Sequence, residues 1–105
     1  MDFELRVIRD CPNSGPALQL FRDALAAEGR DAEALTVREV ASEDEAEELA
    51  FHGSPSFLAG GHDLFPAASA PALSCRVYRT TNGLAGLPGV ESLRAAVRGL
   101  PGAPA

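Results

Sequence analysis

The chain has 105 residues and a formal net charge of −6, with 15 acidic residues against nine basic ones. A chain of this length supports one compact domain with one core. Its 46% of hydrophobic residues is typical of a globular protein and excludes wholesale disorder. An acidic chain without a basic stripe is not suited to a nucleic-acid backbone, so we expect no nucleic-acid partner.

Neither a membrane span nor a secretory signal is predicted. No apolar stretch approaches the ~20 residues that cross a bilayer, and Asp2 and Glu4 stand where a signal peptide carries basic residues. We therefore expect a cytoplasmic protein with no membrane partner. The chain has two cysteines, too few for a disulfide-rich scaffold, and in the cytoplasm both are expected to be reduced thiols. The oligomeric state is left open.

Hydrophobic periodicity predicts the element order β-α-β-α-β-β-α. The β-α-β start implies two parallel strands joined by a right-handed crossover. Short turns join the later strands, which gives a mixed α/β sheet of about four strands with helices on both faces. One domain over residues 1–100 and a frayed tail over 101–105 are expected. The predicted strands are 2–9, 34–40, 56–59 and 62–65, with strand character over 74–80, and the predicted helices are 14–28, 43–50 and 90–99.

The segment Cys11-Pro12-Asn13-Ser14 lies between the first predicted strand and the first helix. The free N–H groups and positive dipole of a helix N-terminus favour a thiolate at Cys11, and Pro12 is tolerated in a first turn. The Ser14 hydroxyl can donate a hydrogen bond to that thiolate, whereas Asp10 beside it acts against the negative charge. The alternative is a buried, inert Cys11 with Ser14 as a simple helix cap.

The sequence Gly53-Ser54-Pro55 leads into the third predicted strand. Cis peptide bonds in proteins are nearly always X-Pro bonds. A tight loop that enters a strand is a plausible place for one, and an ordinary trans turn proline is the alternative. A cis proline here would shape the loop beside the strand.

Cys75 lies in the segment predicted to have strand character over 74–80. It is a candidate to resolve a mixed disulfide on Cys11 by thiol exchange, and two close thiolates would also bind a soft metal. The alternative is a buried strand cysteine. Arg76 and Arg79 either hold an anionic substrate or favour the thiolate, or they are surface arginines with solvated head groups.

The two histidines, His52 and His62, are interpreted as surface or loop residues. Neither forms a metal-ligand spacing with a cysteine, so we expect no metal site.

These motifs resemble the thioredoxin superfamily. The resemblance comes from Cys11-Pro12-Asn13-Ser14, from the helix behind it, and from Gly53-Ser54-Pro55 leading into Ser56-Phe57-Leu58. More narrowly, the chain is similar to small actinobacterial thioredoxin-like proteins, which share the segment present here as Ser74-Cys75-Arg76-Val77-Tyr78-Arg79.

That resemblance implies a thioredoxin-like fold of glutaredoxin size, with a cis Pro55 packed beside a nucleophilic Cys11. It also implies a groove, shaped by Pro12, Ser54 and Pro55, in which the backbone before the proline pairs with peptide or thiol substrates.

The chain departs from the dithiol members of the superfamily at Ser14, which stands where they have a second cysteine. We therefore predict thiol–disulfide exchange by one motif cysteine: Cys11 is the nucleophile, Ser14 stabilises its thiolate and Cys75 resolves the intermediate. Monothiol glutaredoxins share Cys-x-x-Ser, but the lysine that precedes their motif is absent, and no cofactor is expected. The partner is a thiol or disulfide substrate, small or carried on a protein. The alternative is a non-catalytic module that binds a partner or a soft metal through the same groove.

Overall fold

The computed structural model describes residues 1–101, which form three α-helices and six strands. A short 3₁₀ turn, Ala32–Ala34, precedes the second strand. No helix in this range is both long enough and apolar enough to cross a membrane. The elements in chain order are β1 Phe3–Val7, α1 Ser14–Ala27, β2 Leu35–Glu39, α2 Glu43–Glu48, β3 Ser56–Ala59, β4 His62–Asp63, β5 Tyr78–Thr80, β6 Gly83–Ala85 and α3 Val90–Arg98.

Four of the strands form one mixed sheet in the order β2-β1-β3-β4. β1 pairs in parallel with β2, from Phe3 opposite Leu35 to Val7 opposite Glu39. β3 runs antiparallel to β1, and β4 runs antiparallel to β3. The first strand in the sequence is thus an inner strand, and its carboxyl end leads directly into Cys11. The predicted mixed α/β sheet of four strands is present.

The main core lies on one face of this sheet. Residues 3, 5 and 7 of β1 are buried while residues 4 and 6 are only partly buried, the alternation expected of a strand with one covered face. Helices α1 and α3 cover that face with residues such as Phe21 and Leu93, both fully buried. The ring of Phe21 meets the ring of Phe57 edge-on, with centroids 5.2 Å apart.

Helix α2 covers a smaller apolar cluster of Val40, Ala46 and Phe51. Arg6, which alternates with the core residues of β1, donates a hydrogen bond to the carbonyl of Leu49 at the end of α2, at 3.2 Å. The side chains of β1 therefore pack into the core shared with α1 and α3 on one face of the sheet, and Arg6 reaches the end of α2 on the other.

Several predicted boundaries differ from the structure: the strands predicted over 2–9 and 62–65 are only Phe3–Val7 and His62–Asp63. Two further differences have local reasons. The helix predicted over 43–50 ends at Glu48, because Ala50 adopts a left-handed backbone conformation with φ +52°. The segment 74–80 is not one strand: only Tyr78–Thr80 is regular, and it forms a hairpin with β6, which the sequence pattern did not predict. Its first residues pair elsewhere, as described below. Most of the tail predicted over 101–105 lies outside the described residues.

Candidate functional site

Cys11 lies in the short connection between β1 and α1. Its N–H donates to the carbonyl of Ile8 at 3.3 Å, and its own carbonyl accepts from the N–H of Ser14 at 3.2 Å. The residue as a whole is 9% exposed, and the cysteine is free. Cys11 thus occupies the predicted position at the amino end of a helix, but it is largely covered.

The neighbours of Cys11 differ from one another in exposure. Pro12 is exposed, and Asn13 takes the N-cap position of α1 without a side-chain capping bond. Ser14 is therefore the first helical residue and not the cap, and its hydrogen bond to Cys11 is a main-chain bond.

Ser54 and Pro55 are both buried, and the peptide bond between them is cis. The Ser54 hydroxyl accepts a hydrogen bond from the N–H of Ile8 at 3.0 Å. Because the carbonyl of Ile8 also accepts the N–H of Cys11, this one residue after β1 links the loop that contains Pro55 (the proline loop) to the connection that contains Cys11. The sequence motifs at Cys11 and Pro55 therefore meet at the same end of the sheet.

The segment 74–76 crosses next to this loop and pairs with it. Ser54 donates its N–H to the carbonyl of Ser74 at 2.8 Å, and its carbonyl accepts from the N–H of Arg76 at 2.9 Å. Ser54 and Cys75 form an isolated parallel β-bridge. Ser54 is thus hydrogen-bonded to both of the segments that carry a cysteine.

Cys75 itself is a free, exposed cysteine. The interpretation as a buried strand cysteine is wrong, because residues 76 and 78 take the inward positions and residues 75, 77 and 79 the outward ones. A groove of about 600 Å³ opens beside Cys75 and is also lined by His52 and Val77. The Nδ1 atom of His52 is buried without a hydrogen-bond partner.

Arg76 is turned into the protein and is 8% exposed. Its guanidinium pairs with the carboxylate of Asp63 at 2.7 Å and donates to the Ser56 hydroxyl at 3.2 Å and to the Phe65 carbonyl. It also lies over the ring of Tyr78, 4.7 Å from the centroid. The interpretation of Arg76 as a solvated surface residue is wrong, whereas Arg79 is exposed.

Tyr78 ties the same segment to the proline. Its hydroxyl donates to the carbonyl of Pro55, and its ring meets those of Phe57 and Phe65 edge-on. Burial raises the pKa of Tyr78 above its ordinary value, and the nearby charge of Arg76 only partly offsets that effect.

Gly53 permits the close approach of these two segments. Its φ is +115°, and a Cβ at this position would lie 2.9 Å from the Cβ of Arg76. Any larger residue would push the segment 74–76 away from the proline loop.

The structure therefore brings Cys11, Ser54, Pro55 and the backbone of Cys75 to one end of the sheet, with Ser14 behind Cys11. Arg76 and Tyr78 were missed as residues that hold this arrangement. The period-two alternation that places a tyrosine and an arginine on one strand face was the available signal. Within residues 1–101, no group of three or more His, Cys, Asp or Glu side chains is placed to hold a metal ion.

Comparisons with protein-family models, with curated proteins and with solved structures find no significant match to this chain. Its function is therefore inferred from the site itself.

Proposed function

We propose that the chain is a thioredoxin-like protein in which Cys11 carries out thiol–disulfide exchange. Support for the fold comes from a central sheet in the order β2-β1-β3-β4, with one parallel pair and two antiparallel pairs. Further support comes from a cysteine between the first strand and the first helix, and from a cis proline at the start of β3.

The observation that carries the proposal is the chain of hydrogen bonds from Cys11 to Ile8, from Ile8 to Ser54, and from Ser54 to the residues on both sides of Cys75. The chain holds only these two cysteines, and both belong to this one small network next to Pro55. Reactive cysteines are recognised by such placement near a helix N-terminus and not by abundance.

The reaction proceeds in two balanced exchanges. The Cys11 thiolate attacks one sulfur of a disulfide, forms a mixed disulfide with it and releases the other sulfur as a thiolate. The Cys75 thiolate then attacks the Cys11 sulfur, releases the second thiol and leaves a disulfide between Cys11 and Cys75. Two molecules of a low-molecular-weight thiol then reduce this disulfide by the same exchange; both cysteines return to thiols, and the two molecules leave joined as their own disulfide.

Single cysteine variants test the proposal, with hydroxyethyl disulfide as the substrate and mass spectrometry as the readout. The wild-type chain should pass through a mixed disulfide to an internal one, and Cys75→Ser should stop at the mixed disulfide on Cys11. Cys11→Ser should lose the exchange, apart from the slow background of an exposed thiol at Cys75. Equal rates for Cys11→Ser and wild type would sink the proposal.

A second candidate is a non-catalytic module that binds a soft metal or a partner at the same end of the sheet, where Cys11 and Pro55 lie. The observation that favours it is the burial of Cys11, since a cysteine residue that is 9% exposed is poorly placed to meet a large substrate. It predicts that Zn²⁺ or Cu(I) raises the Tm of the wild-type chain and not that of Cys11→Ser. An unchanged Tm with every soft metal, together with no partner recovered by affinity capture, would remove its support.

A further inference from the structure

We propose that the segment 74–76 restricts Cys11 to low-molecular-weight disulfides and S-adducts and excludes extended peptides. This inference rests on the proposed function, because it names the substrate class of the same thiol. The observation behind it is that the main-chain N–H and C=O of Ser54, next to Pro55, are already hydrogen-bonded within the chain.

An extended peptide binds beside a strand by adding to it, and this requires N–H and C=O groups without partners. At Ser54 both groups are used, the N–H by Ser74 at 2.8 Å and the carbonyl by Arg76 at 2.9 Å. A peptide approaching the proline loop therefore finds no main-chain donor or acceptor at Ser54.

The free edge of β2 offers no substitute. In the sheet order, β1 separates β2 from β3, so a peptide paired along β2 would not lie beside Ser54.

Side-chain contacts hold the segment in place. Displacing the segment would separate the Arg76 guanidinium from the Asp63 carboxylate and from the Tyr78 ring. The side chains of Arg76 and Asp63 are both largely buried. Loss of a partner from such a pair is costly, because the remaining charge has little water to replace it. A bound peptide would have to compensate for all of these contacts before it gained any of its own.

A small disulfide needs none of these main-chain groups. It must only bring one sulfur to Cys11 and release the other. The groove of about 600 Å³ beside Cys75 also falls within the range of roughly 300–1,000 Å³ typical of small-molecule sites.

Two substrates that share one leaving group test the inference on the reduced, full-length chain. One is hydroxyethyl disulfide, and the other is a short linear peptide whose single cysteine is disulfide-bonded to mercaptoethanol. For the peptide, only the adduct that joins the peptide sulfur to Cys11 and releases mercaptoethanol is counted, by its mass. Each rate of modification at Cys11 is divided by the rate at which free cysteine forms the corresponding product from the same substrate, so that intrinsic reactivity cancels. We expect the normalised rate for the peptide to be at least about tenfold lower, the scale of one or two main-chain hydrogen bonds.

The variant Arg76→Ala should weaken the attachment of the segment 74–76. We expect the difference between the two normalised rates to fall to about threefold or less. Arg79→Ala is the matched control: it removes an exposed arginine from β5, three residues further along the chain, and should leave the ratio of the two normalised rates unchanged. Far-UV circular dichroism establishes that both variants are folded.

Amide exchange in Cys75→Ser, in which the adduct on Cys11 is not resolved, gives a second measurement. The amides of Ser54 and Arg76 should stay protected when Cys11 carries the mercaptoethanol adduct. Equal normalised rates for the two substrates, or loss of that protection with the small adduct, would overturn the inference and leave the proposed function standing. Reaction with neither substrate would instead overturn the proposed function, and this inference with it.

Discussion

Replacing Tyr78 by Phe removes one hydroxyl from the protein interior and leaves the aromatic packing in place. The hydroxyl is the donor to the Pro55 carbonyl, and both residues are buried. A buried acceptor that loses its donor costs about 1–3 kcal/mol. The space left by one oxygen atom is too small for a water molecule that could replace this hydrogen bond. We therefore expect a loss of about 1.5 kcal/mol in the free energy of unfolding. In a domain of this size, that lowers the Tm by roughly 6–12 °C.

Urea denaturation followed by far-UV circular dichroism measures this loss, with an unchanged m value as the sign that the unfolded state is unaffected. Thr80→Val is the matched control, because the Thr80 hydroxyl also donates to a carbonyl, that of Gly83 at 2.7 Å, but at an exposed position in the same hairpin. The control should lose less than about 0.5 kcal/mol. If Tyr78→Phe costs no more than the control, the Pro55 carbonyl does not depend on this hydroxyl.

Four further outcomes are expected. Two arginines of α3 hold the pKa of Glu28 at about 2, below its ordinary value of 4.5. The contribution of this ionised carboxylate to the free energy of unfolding is therefore complete above pH 4.5 and is lost as the pH falls to 2. Glu28→Gln should flatten this part of the Tm–pH curve. Because burial raises the pKa of Tyr78, its absorbance should not titrate near its usual pH of about 10, and stability should fall as the pH rises beyond that value. Ala50→Gly should raise the unfolding free energy by about 0.5–1 kcal/mol, since alanine is strained at φ +52°. Gly53→Ala should cost about 2 kcal/mol or more, because strain and collision add.

Each of these outcomes has a clear contrary result. If the Tm of Glu28→Gln falls as steeply between pH 4.5 and pH 2 as that of the wild-type chain, the loss of stability in acid comes from other carboxylates. The chain holds one tyrosine and no tryptophan, so a native absorbance step near pH 10 would mean that Tyr78 is accessible. A loss of stability in Ala50→Gly would show that flexibility outweighs the relief of strain. Gly61→Ala is the control for Gly53→Ala, because its φ is +82° but its Cβ would point into open space. Equal costs for the two would exclude the contact with Arg76.

Much of the fold follows from local patterns in the sequence. The alternation of Phe3, Leu5 and Val7 predicts β1, and the Ser42–Glu45 capping box predicts the start of α2, where the Ser42 hydroxyl accepts the Glu45 N–H at 3.1 Å. These elements were predictable because a few neighbouring residues determine them.

The arrangement around Ser54 was not predictable in the same way. Its pairing with the segment 74–76 joins residues about twenty positions apart, and nothing local in either segment specifies the partner. Likewise, the charge of Arg76 indicates a surface position, and only Asp63 and the ring of Tyr78, both supplied by other parts of the fold, explain its burial. Propensity describes a residue in isolation, whereas these positions are determined by tertiary contacts.

The inner position of β1 has a consequence for synthesis of the chain on the ribosome. β1 is made before both of its neighbours, and β3, its antiparallel partner, is complete only at Ala59. At ordinary elongation rates, its apolar side chains wait roughly 3–10 s for that partner. Leu93 and Val97 of α3, which complete the same core, follow later still. The nascent chain therefore carries β1 without its antiparallel partner while residues 8–59 are added, and chaperones that bind short apolar segments have a target in this strand.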